Sequence, residues 1–428
     1  MDRPAPIRLI LSAYVCRPDA GSEPGTGWGW AIHLARAGCQ VHLLTAGRNR
    51  KSIKGYLQKS PCPELYPHFI DVPGMDPMSS GALHYILWQY LALRLAKSLQ
   101  STVRFDIAHH VSYGSVVIPT PLTQLGLPTV FGPVGGGQSA PASLLGYFGK
   151  QRRKESLRTR IRLLLPSFWA YRSRVQKVSL IFAANSETLT LLRNAGCKRV
   201  ELLCDTGASE EHCAAGPRYF TAASEIRLLW VGRFVPLKGL ALALDALALA
   251  NPLVHLTIMG HGLTPAQMQA KIAERNLTGR VVWKGSRASW SEVREAYSSH
   301  DALLFTSMRD SFGSQNLEAM CAGLPIISLN LAGVRDFISP HAAIKVDIGA
   351  TAQETVQRVA SAIDSFSALP IETRNQMSAA AWHSAQSFLW RARAAQMCAR
   401  YRQMIATNAA QMSSAQESIA PTVQPVQQ

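Results

Sequence analysis

The sequence predicts an α/β protein made of two doubly wound domains, each built on a parallel sheet, facing one another across a cleft. Three observations predict this. Short β-branched or leucine-rich runs alternate with longer amphipathic ones, the pattern of repeated β–α units. The strand candidates are apolar along nearly their whole length, as strands covered on both faces must be. The series then restarts after a polar, aperiodic break, so one chain carries two such sheets. Its 428 residues suit two or three domains.

In the first half, IRLILSAY, QVHLLTAG, DIAHHV and PTVFGPVG are predicted strands. WGWAIHLARAG and LHYILWQYLALRLAKSL are predicted helices, the first closed by Gly38 just ahead of a strand. This domain takes residues 1–207 and includes a basic segment at 150–177. The stretch TGASEEHCAAGPRYFTAAS is small, polar and Gly/Pro-bearing, and marks a linker at 208–224. The second domain, 225–380, has the strands IRLLWVGR, VHLTIMG, RVVWKGS, ALLFTSM and LPIISLN, with helices LALALDALALAN and SQNLEAMCAG. An aromatic, basic helix follows over 381–406. The tail at 407–428 is rich in Gln, Ser, Ala and Pro and is expected to be disordered.

Composition narrows the function. There are 44 Lys+Arg against 27 Asp+Glu, a net charge of +17, which asks for an anionic partner. The eight cysteines include no C-x-x-C pair. That argues against a zinc site or a disulfide scaffold and for a reducing compartment. The apolar stretch before Tyr14 is too short for a signal peptide. The best spanning candidate, Ala82 to Ala96, is interrupted by His84, Gln89 and Arg94. The expectation is a cytoplasmic protein without a membrane span.

Arg233 and Lys238 lie in VGRFVPLKG, directly after a predicted strand. Strand ends facing a crevice are where open α/β sheets bind ligands, and two cations on a Gly-bounded turn suit a diphosphate. Asp310 and Glu318 are eight residues apart in MRDSFGSQNLEAMCAGLPII. The helix start near Gly313 and Ser314 offers free N–H groups to phosphate oxygens. Glu318, a turn further in, can accept two hydrogen bonds from a ribose diol, and Asp310 can reach a sugar hydroxyl. Against this, Asp310 as a helix cap and Glu318 as a solvated residue would also fit the spacing.

In the first half, Gly25, Thr26 and Gly27 belong to GSEPGTGWGW, a Gly-rich turn between strand and helix. Trp30 takes the last place of a dinucleotide fingerprint, so the turn suits close approach of backbone to phosphate, or simply tight packing. His109 and His110 end the strand FDIAHH, and alternation sends them to opposite faces. No D-x-D, H-E-x-x-H or G-x-S-x-G occurs. Segment 150–177 holds ten Lys/Arg and one acid, Glu155, interleaved with Leu163, Leu164, Leu165, Phe168, Trp169 and Tyr171. That composition suits an anionic leaflet, at about 1 kcal/mol per basic residue near the lipid, better than nucleic acid, for which no module is present.

Together these residues resemble glycosyltransferase family 4, with its two Rossmann-like domains in the GT-B arrangement. GRFVPLKG is similar to that family's Gly-Arg…Lys-Gly signature, and DSFGSQNLEAMCAGLPII to its E-x7-E block followed by E-A-M-x-x-G-x-P. The first acid is Asp310 rather than Glu, as in a subgroup with Arg-Asp-Ser. GSEPGTGWGW and HHVSYGS…GPVGGGQSAP resemble the same subgroup. The likeness runs from about Arg8 to Tyr401.

The resemblance implies a retaining, metal-independent hexosyltransferase with no cofactor beyond its nucleotide-diphospho-sugar substrate. Arg233 and Lys238 would neutralise the departing diphosphate, Glu318 hold the ribose and Asp310 the donor sugar. The implied donor set is Gly25, Thr26, Gly27, Arg233, Lys238, Phe312, Gly313, Ser314 and Glu318, with His110 as the histidine near the reacting sugar. The family's usual spacing puts a second histidine one residue after His110, where this chain has Val111, which leaves His109 as the alternative. A C-terminal helix crossing back to the first domain is also implied. The expected acceptor is a lipid-linked glycan at the inner membrane face, in exopolysaccharide or other surface-polysaccharide assembly. A nucleotide-sugar epimerase of the same architecture and a catalytically silent binding subunit are the rival readings.

Overall fold

The computed structural model describes residues 5–417 except 19, 77, 79–80, 222–224 and 286–289, with the backbone alone at Trp290 and 412–417. The first domain contains β1 (Arg8–Ala13), α1 (Ser22–Arg36), β2 (Gln40–Ala46), α2 (Arg50–Lys59), β3 (Leu65–Ile70), α3 (Ala82–Leu99) and β4 (Ile107–Ser112). It continues with β5 (Thr129–Val134), α4 (Arg152–Leu164), α5 (Trp169–Val175), β6 (Leu180–Ala183), α6 (Ser186–Asn194) and β7 (Val200–Leu202). Its seven strands run β3-β2-β1-β4-β5-β6-β7. All their pairings are parallel.

The second domain contains β8 (Ile226–Val231), α7 (Leu240–Leu249), β9 (Val254–Met259), α8 (Pro265–Ala273), β10 (Val281–Trp283), α9 (Trp290–Ser299) and β11 (Ala302–Phe305). Then come α10 (Ser314–Cys321), β12 (Ile326–Leu329), α11 (Ala332–Phe337), β13 (Ala343–Val346), α12 (Ala352–Ser367) and α13 (Ile371–Gln386). Its parallel sheet runs β10-β9-β8-β11-β12-β13. Both orders are those of a doubly wound sheet, whose strand order reverses beside its first strand. Each sheet is covered on both faces. Buried residues of α1 lie on one face of the first sheet and Tyr85, Trp88 and Ala92 of α3 on the other. The second sheet is sandwiched between α7 with α12 and α10 with α13.

β3, β6, β7 and β13 carry little signal in the sequence. They are short or edge strands; β3 accommodates Pro67 because it closes the sheet on one side.

The division at 207 does not hold for one segment. After β5 the chain leaves its own sheet, and Ala140, Leu144 and Phe148 are buried in the core cluster of the second domain. Ser143 donates to the Gly349 carbonyl at 3.1 Å, and Tyr147 donates to Asp245 at 2.6 Å. The second domain supplies the apolar partners that take these side chains out of water.

The C-terminal crossing also differs from its predicted form. Ala381, Ala385 and Phe388 belong to the core of the second domain. The passage falls at 387–389, where Leu389 bridges Ala208 of the linker, and a new helix, α14 (Trp390–Glu417), lies on the first domain. Residues 407–417 are therefore helical and not disordered. Ala, Gln and Met are good helix formers, and no proline intervenes before Pro421. The rest of the tail, 418–428, lies outside the described residues.

α14 is seated by the Gly-Trp-Gly-Trp run of α1. A Cβ on Gly29 would collide with the Trp390 indole. Trp30 meets Trp390 edge-on at 5.3 Å, and the Arg393 guanidinium lies 5.2 Å over the Trp30 ring. Further along, Tyr401 and the Gly132 carbonyl hold His109 between them, at 2.5 Å from Nδ1 and 2.6 Å from Nε2. A carbonyl can only accept, so Nε2 carries the proton and Nδ1 accepts from the tyrosine. Tyr401→Phe leaves Nδ1 buried without a donor and should cost about 1–3 kcal/mol. Urea denaturation checks this; an unchanged midpoint would show that α14 is held by packing alone.

Candidate active site

In a doubly wound sheet, the connections on either side of the order reversal leave in opposite directions and open a crevice at the carboxyl ends of the strands. Here the two crevices face each other. The cleft between them, about 570 Å³, is lined by residues at or beyond the carboxyl ends of β1, β4, β5 and β7 of the first sheet and β8, β9, β10 and β11 of the second.

The second domain places Arg233, Lys238, Asp310, Gly313, Ser314 and Glu318 on this cleft. Arg233 is exposed, and its side chain makes no hydrogen bond or ion pair with a described residue. Lys238 and Asp310, given separate roles above, form an ion pair with Nζ 2.5 Å from Oδ2, and the Ser307 hydroxyl donates to the same oxygen at 2.8 Å. Gly313, at φ 88°, lets the chain turn into α10, which no side chain caps. The Asn316 N–H bonds back to the Gly313 carbonyl at 3.1 Å, and the N–H groups of Ser314 and Gln315 are left to a ligand or to water. Glu318 accepts from the Tyr297 hydroxyl at 2.8 Å. Burial raises its pKa, opposed by bonds from Tyr297 and Ser314 and by the charge of Lys238.

Four of the expected site residues stand elsewhere. Thr26 lines the cleft, but Gly25 and Gly27 do not: a Cβ at Gly25 would strike the Ala20 carbonyl, and one at Gly27 the Val15 carbonyl. Close packing of α1 on the preceding loop is what excludes a side chain there. Phe312 is buried and stacked on Phe388 at 6.0 Å, in the core of the second domain. His110 is fully enclosed. Its Nε2 lies 2.9 Å from the Tyr85 hydroxyl and its ring meets Phe131 edge-on. Burial, then His109, lowers its pKa to about 3. The strand runs on to Ser112, so the chain reaches the cleft at Val111 and Gly114, beyond both histidines.

Two acids escaped the motif search. Glu23, inside GSEPG, sits in the first turn of α1, and its Oε1 accepts from the Gly114 N–H at 2.6 Å. Asp205, where the first domain meets the linker, also lines the cleft. Burial raises Glu23 to about 7, and burial with the nearby Asp310 raises Asp205 to about 6. Glu23 was the more legible of the two, as an acid held between glycines after a strand; Asp205 belongs to no motif.

A carboxyl whose folded pKa exceeds its unfolded value keeps its proton better in the folded state. Stability is then highest at low pH and falls as pH rises through the interval between the two values. For Glu23 that interval runs from 4.5 to about 7. Glu23→Gln removes the penalty, so its melting temperature should rise relative to the parent between pH 5 and 8, by up to roughly 3 kcal/mol in stability terms. A difference that stays flat across this range would show that Glu23 is solvated and ordinary.

Residues 219–383 match the family described as Glycosyl transferases group 1. A GDP-mannose-dependent alpha-mannosyltransferase of Mycobacterium tuberculosis is 34% identical over 112 residues, 26% of this chain and 27% of that protein. A lipopolysaccharide 1,6-galactosyltransferase of Salmonella typhimurium is 36% identical over 116 residues, 26% and 32% of the two chains. The matched part is thus about a third or less of each relative's length. The architecture as a whole is similar to that of sucrose-phosphate synthase from Thermosynechococcus elongatus, with a TM-score of 0.66, 17% identity, and 94% of this chain and 100% of that one covered. The chain therefore has the two-domain GT-B fold, and the match to the group 1 glycosyl transferases covers most of its second domain.

Proposed function

We propose that this protein transfers a hexosyl group, with retention and without a metal, from a nucleotide-diphospho-sugar to a lipid-linked glycan in surface-polysaccharide assembly. The observation that carries the reading is the convergence of Arg233, Lys238, the uncapped start of α10 and Glu318 on one cleft. The diphosphate lies against the guanidinium and the ammonium, with the first amides of α10 beside it. Glu318, buffered by Tyr297, accepts from the ribose. Negative charge grows on the diphosphate as the glycosidic bond breaks. Fixed cations at that point act on the transition state more than on the ground state. Arrival of the diphosphate relieves Lys238 of Asp310, freeing this carboxylate for a sugar hydroxyl. The galactosyltransferase relative named for lipopolysaccharide supports the polysaccharide context.

The acceptor side rests on the basic segment. Its acid, Glu155, is buried and pairs with Arg309 at 2.8 Å, and Arg162 turns inward to the Gln138 carbonyl at 2.7 Å. What remains outward is basic and apolar: Arg152, Arg153, Lys154, Arg160, Arg172 and Arg174 with Leu163, Leu164, Phe168 and Trp169, the last 80% exposed. Such a surface suits an anionic leaflet. Among the described residues no helix is long and apolar enough to cross a membrane.

A thermal-shift panel of nucleoside diphosphates and their sugars tests the donor. A ligand at 100 times its dissociation constant should add about 2.7 kcal/mol. Arg233→Ala should abolish the response; an unaltered shift would place the diphosphate elsewhere. Flotation with phosphatidylglycerol vesicles against phosphatidylcholine vesicles tests the surface. Binding should be confined to the anionic vesicles, and equal recovery with both removes the membrane part of the reading.

A further inference from the structure

The two walls of the cleft differ in charge. The second domain contributes two cations, Arg233 and Lys238, and two acids, Asp310, which is paired to Lys238, and Glu318, which accepts from Tyr297. The first domain and its junction with the linker contribute Glu23 and Asp205, and among the described residues no lysine or arginine of the first domain lines the cavity. An anionic diphosphate is therefore drawn to one wall and repelled by the other. The acidic wall is left to the second substrate.

Glu23 is aimed at that space by the backbone. Ser22 takes φ 58°, which turns the chain into α1, and the Gly114 N–H fixes Oε1. Oε2 has no hydrogen bond to any described residue, and the half-buried side chain lines the cleft. Asp205 is held from behind. Arg393, between the Trp30 and Trp390 rings, donates to the carbonyl of Cys204 next to it, and Ser311 hydrogen-bonds its carboxyl from across the cleft. A carboxylate oxygen turned to a cavity is satisfied by a hydroxyl donor. A phosphate in the same place would meet two carboxyl groups whose one nearby cation, Arg393, is already engaged with the Cys204 carbonyl, and unpaired like charge is how a site rejects a wrong ligand.

We propose that Glu23 and Asp205 form the acceptor end of the cleft, binding an uncharged sugar through its hydroxyl groups and turning away phosphorylated sugars. This rests on the transferase reading above and deepens it by giving the acceptor a chemical class.

Saturation-transfer NMR on the full chain provides the test. The probes are the methyl glycosides of glucose, galactose and mannose and the 6-phosphates of the three sugars, each with and without UDP or GDP. At least one methyl glycoside should receive saturation and none of the sugar phosphates should. E23Q and D205N should each weaken glycoside binding about tenfold, the loss expected for one hydrogen bond to a charged group. Their thermal response to the nucleoside diphosphate should match the parent's, which also shows that they fold. The double variant E23Q/D205N should admit a sugar phosphate. The proposal is overturned if no methyl glycoside binds, if sugar phosphates bind the parent equally well, or if both single variants bind glycosides like the parent. Failure of UDP and GDP to bind the parent would count against the donor reading alone, because glycoside contact is read separately on the nucleotide-free protein.

Discussion

Parallel sheets whose strand order reverses next to the first strand open a crevice at one end only, and this chain sets two such crevices against each other. The remaining features of the site depend on that constraint. Every cleft-lining segment leaves the carboxyl end of a strand or starts the helix after it, so none must interrupt a core to reach substrate. The short turns after β8 and β11 bring Lys238 to Asp310 although 72 residues separate them. The same geometry brings Glu23 beneath the Gly114 amide, from two loops that are distant in sequence and adjacent in the sheet.

Holding the crevices opposite each other requires more than the linker. Three sets of contacts clamp the two domains together. The segment after β5 buries Leu144 and Phe148 in the other domain. Helix α14 returns to the first domain and is locked on Gly29, Trp30 and His109. At the cleft edge Gln138 donates to Ser311 at 3.2 Å, and Glu155 pairs with Arg309. The loop that bears Asp310 is thereby touched by the helix that bears the outward basic surface. At this edge of the cleft the two domains meet through a few polar contacts.

The chemistry of the cleft follows from unequal burial. Arg233 stays exposed, with no side-chain partner among the described residues, whereas burial raises the pKa values of Glu23, Asp205 and Glu318.

The local pattern of residues was enough to identify the two sheets, the turn holding Arg233 and Lys238, and the Asp310–Glu318 block. Each is a contiguous run whose periodicity or spacing reports its own environment. Four assignments needed the folded chain. His110 looked available because a strand end is normally open, but β4 runs two residues further and Tyr85 covers the ring. Gly25 and Gly27 read as phosphate-approaching glycines, yet the space a side chain would need is filled by neighbouring carbonyls. Phe312 lies within the motif, but its ring belongs to the core. Asp205 had no motif at all, because its neighbours Ser311 and Arg393 come from 106 and 188 positions away. Sequence alone determined what short segments become, since backbone propensity and burial pattern are local. Which side chains share the cleft was decided only by tertiary structure, because facing is a relation between segments far apart along the chain.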